Sequence, residues 1–547
     1  MNRREFFKKN AVACAALGLS VFPLESIAAE TPATAAPLEP SNLVPEYFGQ
    51  VDLVADGRLL KAGFEERDIT PDIGMQMPGN YRPDFVKGFH ERCKVRAAVF
   101  DDGAMSVALV GVDSVVVPES VVAAARSQIQ SRCGISPDAV MISAAHNHSG
   151  GPIGMMQPGQ FDHAPELIRH LAYDESQMAD AGYVKHVTQQ IVDAVCGAHE
   201  NRLEAFCGSA TGFEDKVGFT RRFHMKNGLI YTHPGQGNPD IVSPAGPIDP
   251  QVSVVGAWDK NGRFLGCIVN YTCHATTNPG TGAQASANWI YYMERVIRGA
   301  MGAEVPVVFL QGAAGNVTQV DNLSPYKHPL NTQWAEFVGG RVGAEAVKVL
   351  LTMVPGNLMP LAAKSTVLPI KRRVPSSKHV QEAYALVKQD SNSVDRVKWT
   401  FAKETVLLDY MVKQEPVVST EVQVIQIGPT VFVSNPAELS CQAGLDIKSD
   451  SHFPQTCVVG YANGAVGYVP TAEDLGPHGG GYETRLSSYT NLEITAAAQI
   501  VKAGTSLIAQ LTPGAVPTPE KHIPFSADSQ KQGTHAWGYG NVPPGLD

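Results

Sequence analysis

The 547-residue chain contains no Cys-x-x-Cys pair, no His-Glu-x-x-His segment and no Gly-x-Ser-x-Gly elbow. These absences argue against a cysteine-rich zinc site, a zincin and a serine hydrolase of the elbow type. Long Lys/Arg runs are also missing. With 43 Lys+Arg against 53 Asp+Glu the formal net charge is −10, so nucleic acid and anionic membrane surfaces are poor partners. Beyond the N-terminus no segment reaches the roughly 18 uninterrupted apolar residues of a membrane span, and no transmembrane segment is expected in the mature chain. Internal repeats are absent as well. What is present is ordinary globular material, 44% hydrophobic and 18% charged, long enough to bury a large core.

The N-terminus reads as a leader. Arg3-Arg4-Glu5-Phe6-Phe7-Lys8 precedes an apolar stretch from Ala11 to Leu24 and small residues at Ala28-Ala29. That pattern resembles a twin-arginine export signal over 1–29, and it predicts a periplasmic or secreted protein. Residues 30–58, rich in Pro, Ala and Glu, read as a linker, and residues 512–547 as an irregular tail. Eight cysteines remain beyond Cys14. An exported chain permits disulfides, but the spacing does not pair them.

Between these ends, 59–511 reads as one large catalytic domain. Val107–Val112 is a buried-strand run, Pro118 to Cys133 a helix stopped by Gly134, and Ala139–Ser143 the next strand. Val184, Val187, Ile191 and Val195 form a helical stripe, and Lys371 to Gln414 predicts a helical hairpin over a sheet. The rhythm predicts an α/β fold of mixed sheets and helices.

Chemistry gathers where apolar strands end. Val140-Met141-Ile142 leads into Ser143-Ala-Ala-His146-Asn-His148-Ser149-Gly150-Gly151-Pro152. Leu265–Val269 leads to His274, Val305–Leu310 to Gly315-Asn316-Val317-Thr318, Val431–Val433 to Pro436-Ala437-Glu438, and Val458-Val459 to Tyr461 and Gly467-Tyr468. Ligand sites of open α/β sheets lie at the carboxyl ends of strands, so five such ends can meet in one place. His146 and His148, two apart, share a face of an extended segment; two imidazoles there suit a metal or an acid/base pair. Taken singly, His274 reads as a satisfied structural histidine, Glu438 as a neighbour of a helix start, Tyr468 as packing and Thr318 as a helix cap. Their common placement is what singles them out.

Together these segments resemble the neutral/alkaline, non-lysosomal ceramidases. The resemblance begins at Ala62-Gly63-Phe64 and Asp68-Ile69-Thr70-Pro71 and runs to about residue 490. Its most specific part is Ser143-Ala-Ala-His146-Asn-His148-Ser149-Gly150, similar to the family's His-Thr-His-Ser-Gly. The resemblance implies a zinc-dependent hydrolase cleaving the amide of N-acyl sphingoid or related lipids. It implies zinc ligands at His146, His274, Glu438 and Tyr468, with Tyr461 and Tyr482 as rival tyrosines. It puts His148 beside the metal as proton carrier or substrate contact, and Arg221 near the site. The chain departs from the family at Gly315-Asn316-Val317-Thr318, which stands for Gly-Asp-Val-Ser; Thr318 keeps the hydroxyl, and the resemblance implies a nucleophilic or hydrogen-bonding role for it. It departs again at the enlarged Ile153–Ala181 segment, and only about 50 residues follow 495, too few for the family's C-terminal β-sandwich. These departures keep open a second hydrolase reading, with an ester, lactone or glycan conjugate as substrate. A non-catalytic exported binding protein is disfavoured by the retained histidines and Glu438.

Overall fold

Strand-forming runs and helical stripes sort the residues described by the computed structural model (45 and 60–519, except 155, 281 and 392) into a mixed α/β fold. The leader at 1–29, nearly all of the 30–58 linker and the tail beyond 519 lie outside the described residues.

One large sheet holds β1 (Lys61–Asp68), β2 (Lys94–Asp101), β3 (Ser106–Val112), β4 (Val140–Ala144), β5 (Leu203–Phe213), β6 (Gln251–Asp259), β7 (Phe264–Tyr271) and β8 (Val307–Gln311). Their order is β8-β7-β6-β5-β1-β2-β3-β4. The inner pairings are antiparallel, while the outermost pair at each edge, β7 with β8 and β3 with β4, is parallel. A smaller sheet runs β9 (Leu361–Lys371), β10 (Val417–Ile427), β11 (Thr430–Ser434) and β12 (Gln455–Val459), and its last pair is again parallel.

Parallel neighbours need a crossover, and helices supply them. In chain order the helices are α1 (Glu119–Cys133), α2 (Glu166–Tyr173), α3 (Ala181–Glu200), α4 (Trp289–Met301), α5 (Asn331–Thr352), α6 (Ser377–Leu386), α7 (Arg396–Gln414), α8 (Cys441–Ser449) and α9 (Ala496–Ile508). Helix α1 joins β3 to β4, α4 joins β7 to β8, and α8 joins β11 to β12. The expected stop of α1 is realised at Gly134, with φ 77° in the left-handed region that glycine tolerates.

The α3 stripe, Val187, Ile191 and Val195, is fully buried on the face of the large sheet that carries Val95 and Val99. Trp258 and Trp289 centre a second core with α4 and α5, and α9 packs on the smaller sheet. The predicted helical hairpin exists as α6 and α7, but it does not cover a sheet. Ala383, Trp399, Val406 and Leu407 pack instead on Met156, Phe161, Ile168 and Leu171 of the enlarged 153–181 segment. The apolar faces of these two segments thus bury each other and form a cap. Among the described residues no helix is long and apolar enough to cross a membrane.

Candidate functional site

The three parallel strand pairs put six carboxyl ends close together, and backbone hydrogen bonds stitch the segments that leave them. Ala144 donates to the Tyr461 carbonyl at 3.0 Å, Gly460 to that of Gln311 at 3.0 Å, Gly312 to that of Tyr271 at 2.9 Å, and His148 to that of Ala275 at 3.2 Å. These bonds close a ring running from β4 through β12 and β8 to β7.

Gln311 sits within this ring, fully buried. Its amide nitrogen donates to the Ala145 carbonyl at 3.1 Å and the Cys273 carbonyl at 2.7 Å. Its amide oxygen accepts from the Cys273 and Gly312 N–H groups, each at 3.1 Å. One side chain therefore holds the residues that precede both His146 and His274.

The two histidines present themselves alike. His146 Nδ1 lies 2.8 Å from the Val115 carbonyl, and His274 Nδ1 lies 2.9 Å from the Val317 carbonyl. A carbonyl only accepts, so each Nδ1 carries the proton and each Nε2 turns a lone pair inward. His146 Nε2 stands 3.1 Å from His148 Nε2 and 3.2 Å from Glu438 Oε2; His274 Nε2 stands 3.3 Å from the same Glu438 oxygen. One nitrogen from each of His146, His148 and His274 lies within 4.8 Å of the others, and the group can hold a metal ion. Tetrahedral ligands with bonds of about 2.0–2.1 Å stand roughly 3.3–3.4 Å apart, which matches the closest spacings here. Imidazole nitrogens pinned by carbonyls, beside a carboxylate, suit a divalent metal ion.

Electrostatics fit that donor set. Burial, reinforced by His146 and His274, holds the His148 imidazole well below its ordinary value and so neutral. Burial and Arg221 bring His274 down to about 3. Burial alone would raise the Glu438 carboxyl, but His146 and His274 outweigh it and hold the group ionised.

Tyr461 and His146 share a further feature. Both have positive φ, 54° each, and their rings stack at 4.1 Å. The Tyr461 hydroxyl donates to Glu438 Oε2 at 3.3 Å.

Arg221 spans the opposite side. It bonds Glu483 Oε1 at 2.5 Å, the Gly315 carbonyl at 2.8 Å and the Tyr468 hydroxyl at 2.9 Å, and approaches His274 Nε2 at 3.2 Å. Tyr468 is fixed next to Glu438 because the two pair as one parallel bridge. Tyr482 turns its hydroxyl to that of Tyr81 at 3.1 Å instead.

Thr318 is not brought into this cluster in the same way. It is buried beside Phe219, and its hydroxyl donates to Gln319 Oε1 at 3.3 Å. Its loop acts through the backbone: Gly315 and Val317 supply the carbonyls for Arg221 and His274. The Asn316 side chain accepts the Cys441 N–H at 2.9 Å, at the start of α8.

His146, His148, Glu438, Tyr468, Tyr482 and Tyr489 line a narrow pocket roofed by the cap through Met156, Ser176 and Glu404. Three contributors were not read from the sequence. Gln311 ends a buried strand and looks like core. Glu483 and Tyr489 fall in an irregular stretch with no periodic signal. Yet Glu483 holds Arg221, and Tyr489 bonds Glu438, whose charge adds to burial in raising the phenol.

No family model matches the chain. Over 318 residues, 54% of the chain, it is 27% identical to the neutral ceramidase of Pseudomonas aeruginosa; the match spans 42% of that protein, less than half of its length. Two solved structures share the fold. A ceramidase complexed with C2 superposes with a TM-score of 0.61 at 17% identity, covering 84% of this chain and 77% of that one. The neutral ceramidase of Pseudomonas aeruginosa superposes with 0.60 at 18%, covering 84% and 76%. The resemblance read from the motifs is thus borne out: in sequence and in fold, the chain is a relative of the neutral ceramidases.

Proposed function

We propose that the protein is a zinc-dependent hydrolase that cleaves the amide bond of ceramide-like N-acyl lipids. The observation that carries the reading is the convergence of two carbonyl-pinned imidazoles, a third imidazole and an ionised carboxylate on one buried point. His146, His274 and Glu438 would hold the ion, with Tyr468 as the fourth ligand. A bound zinc ion would supply Lewis-acid polarisation of the carbonyl and activation of water.

The chain's own residues do the rest. His148, neutral and within reach of the same point, accepts a proton at Nε2 and passes it to the leaving amine. Arg221 fixes the Tyr468 hydroxyl and offers positive charge next to His274, where negative charge develops on the carbonyl oxygen. Tyr489 and Tyr461 hold Glu438 in place. The cap residues Met156 and Ser176 exclude bulk water, which strengthens each of these interactions.

The departures at Thr318 and in the 153–181 segment support a second reading, in which the same site cleaves an ester, lactone or glycan conjugate. The leader supports export to the periplasm, and a lipid or small molecule as the partner.

The test is metal analysis joined to a substrate panel. About one zinc ion per chain is expected, with turnover of N-acylsphingosine lost on chelation and restored by zinc. A metal-free preparation at full rate refutes the metal reading. Turnover of esters but not amides selects the second substrate class.

A further inference from the structure

The pocket in front of the histidines shares walls with a second cleft. Met156, Ser488 and Tyr489 face the histidine pocket on one side and, on the other, a cleft of about 370 Å3. This cleft begins where the site's backbone ends. Pro436 lies two residues before Glu438, Gly467 one before Tyr468, and Val116 one after the carbonyl that pins His146. Its volume falls in the range of small-molecule sites.

The two spaces differ in chemistry. Tyrosine rings, Val115 and Met156 dominate the narrow pocket and suit an alkyl chain. The second cleft is mixed: Val116, Met411, Val418 and Val466 form part of its walls, and Glu119, Gln157, Glu415 and Glu421 edge it. Its one cation, Arg372, is engaged by Glu415 at 2.9 Å and by Asn491 at 2.7 Å. Glu421 is held by Arg126 through two bonds of 2.9 Å. The Gln157 amide nitrogen is spent on the Ile153 and Gly154 carbonyls, each at 3.1 Å, which leaves its oxygen as an acceptor. Glu119 is exposed at the start of α1. The cleft therefore offers acceptors, and a ligand matching it brings donors.

From this we infer that the second cleft receives the amine side of the substrate, and that this side is short and rich in hydroxyl groups. An N-acylated amino sugar or amino polyol is the class that fits, with the acyl chain among the tyrosines. The inference rests on the hydrolase reading above and deepens it. Hydrolysis breaks the C–N bond, forms a C–O bond from water and leaves the proton on the amine. The released amine lies in the acceptor-lined cleft. Met156, unbranched and adaptable, separates the two spaces.

The experiment compares N-octanoylglucosamine with N-octanoylsphingosine and with N-octanoyl-4-nitroanilide, whose amine side is small and apolar, all on the zinc-loaded enzyme. The expected result is a lower KM for the glucosamine amide than for the sphingosine amide. Ala465→Trp, at a position that lines the second cleft and not the histidine pocket, should raise the glucosamine amide's KM by about tenfold or more, and that of the nitroanilide by less than about twofold. The surface change Glu119→Leu should raise the glucosamine amide's KM about threefold or more at constant kcat. Preference for the sphingosine amide, with both variants shifting every substrate alike, overturns the inference while leaving the amidase reading intact. If the wild type cleaves no amide, the hydrolase reading fails on its own. Calorimetric binding of N-octanoylglucosamine, lost in Ala465→Trp, then still decides the cleft.

Discussion

Gln311→Met removes the side chain that joins the two histidine loops while keeping its volume. Three backbone groups lose their only partner among the described residues: the Ala145 carbonyl, the Cys273 carbonyl and the Cys273 N–H. The Gly312 N–H keeps the Tyr271 carbonyl at 2.9 Å. A buried polar group left unpaired costs about 1–3 kcal/mol, so three of them put the expected loss of stability at roughly 3–9 kcal/mol. Ala145 and Cys273 directly precede His146 and His274, so the same change loosens both rings. Removing an outer partner of a metal site weakens binding by about 10- to 100-fold. Gln311→Glu should be worse, because a carboxylate oxygen would face two carbonyl oxygens. Urea unfolding measures the first effect, and zinc competition against a chromophoric chelator measures the second. A Gln311→Met protein that unfolds at the wild-type midpoint and holds zinc equally well would refute the claim that this amide organises the site.

Other outcomes follow from single contacts. Arg221→Lys keeps the charge but loses the fork that reaches Glu483, Gly315 and Tyr468. Steady-state kinetics should show kcat down by about 10- to 100-fold with metal content unchanged. Thr318→Ala removes one neutral hydrogen bond, to Gln319; it should slow turnover by less than about tenfold and leave zinc in place. Cys133 and Cys196, on α1 and α3, have sulfur atoms 3.4 Å apart. Exposure to oxidised glutathione should form a disulfide between them, released as two reduced glutathiones. Thiol titration of the denatured protein should fall by two groups, and in Cys133→Ser it should not.

The site was legible where chemistry followed a strand. His146, His148, His274 and Glu438 each stand a few residues beyond an apolar run, and parallel pairing brings such ends together whatever the intervening loops do. Residues whose role depends on three-dimensional neighbours left no such trace. Lys403 lies in a charge-rich helix and reads as solvated. The structure buries it completely, with its ammonium on the Tyr81 and Glu175 carbonyls at 2.7 and 2.8 Å and on the Ser176 hydroxyl at 2.7 Å. Those bonds tie α7 to two segments lining the pocket, so the hairpin expected over a sheet becomes part of a roof. The Cys133–Cys196 approach was hidden for the same reason, since helix-to-helix packing is not written in spacing.

Backbone strain at the site falls on two bulky residues; the other non-glycine residues with positive φ among the described ones are His233 and four asparagines. His146 and Tyr461 are bulky residues in the left-handed region, each costing about 1–3 kcal/mol. A glycine at either position would remove the cost but also the ring. The neighbouring backbone fixes both. Ala144 N–H bonds the Tyr461 carbonyl, and Ala145 N–H bonds the Val112 carbonyl at 2.8 Å, so the chain must turn sharply at His146 to leave β4. That turn aims Nδ1 at Val115 and Nε2 inward, and the Tyr461 ring stacked on the imidazole keeps it there. The strain therefore serves to orient a lone pair, which is the property a metal ligand requires and a merely structural histidine does not.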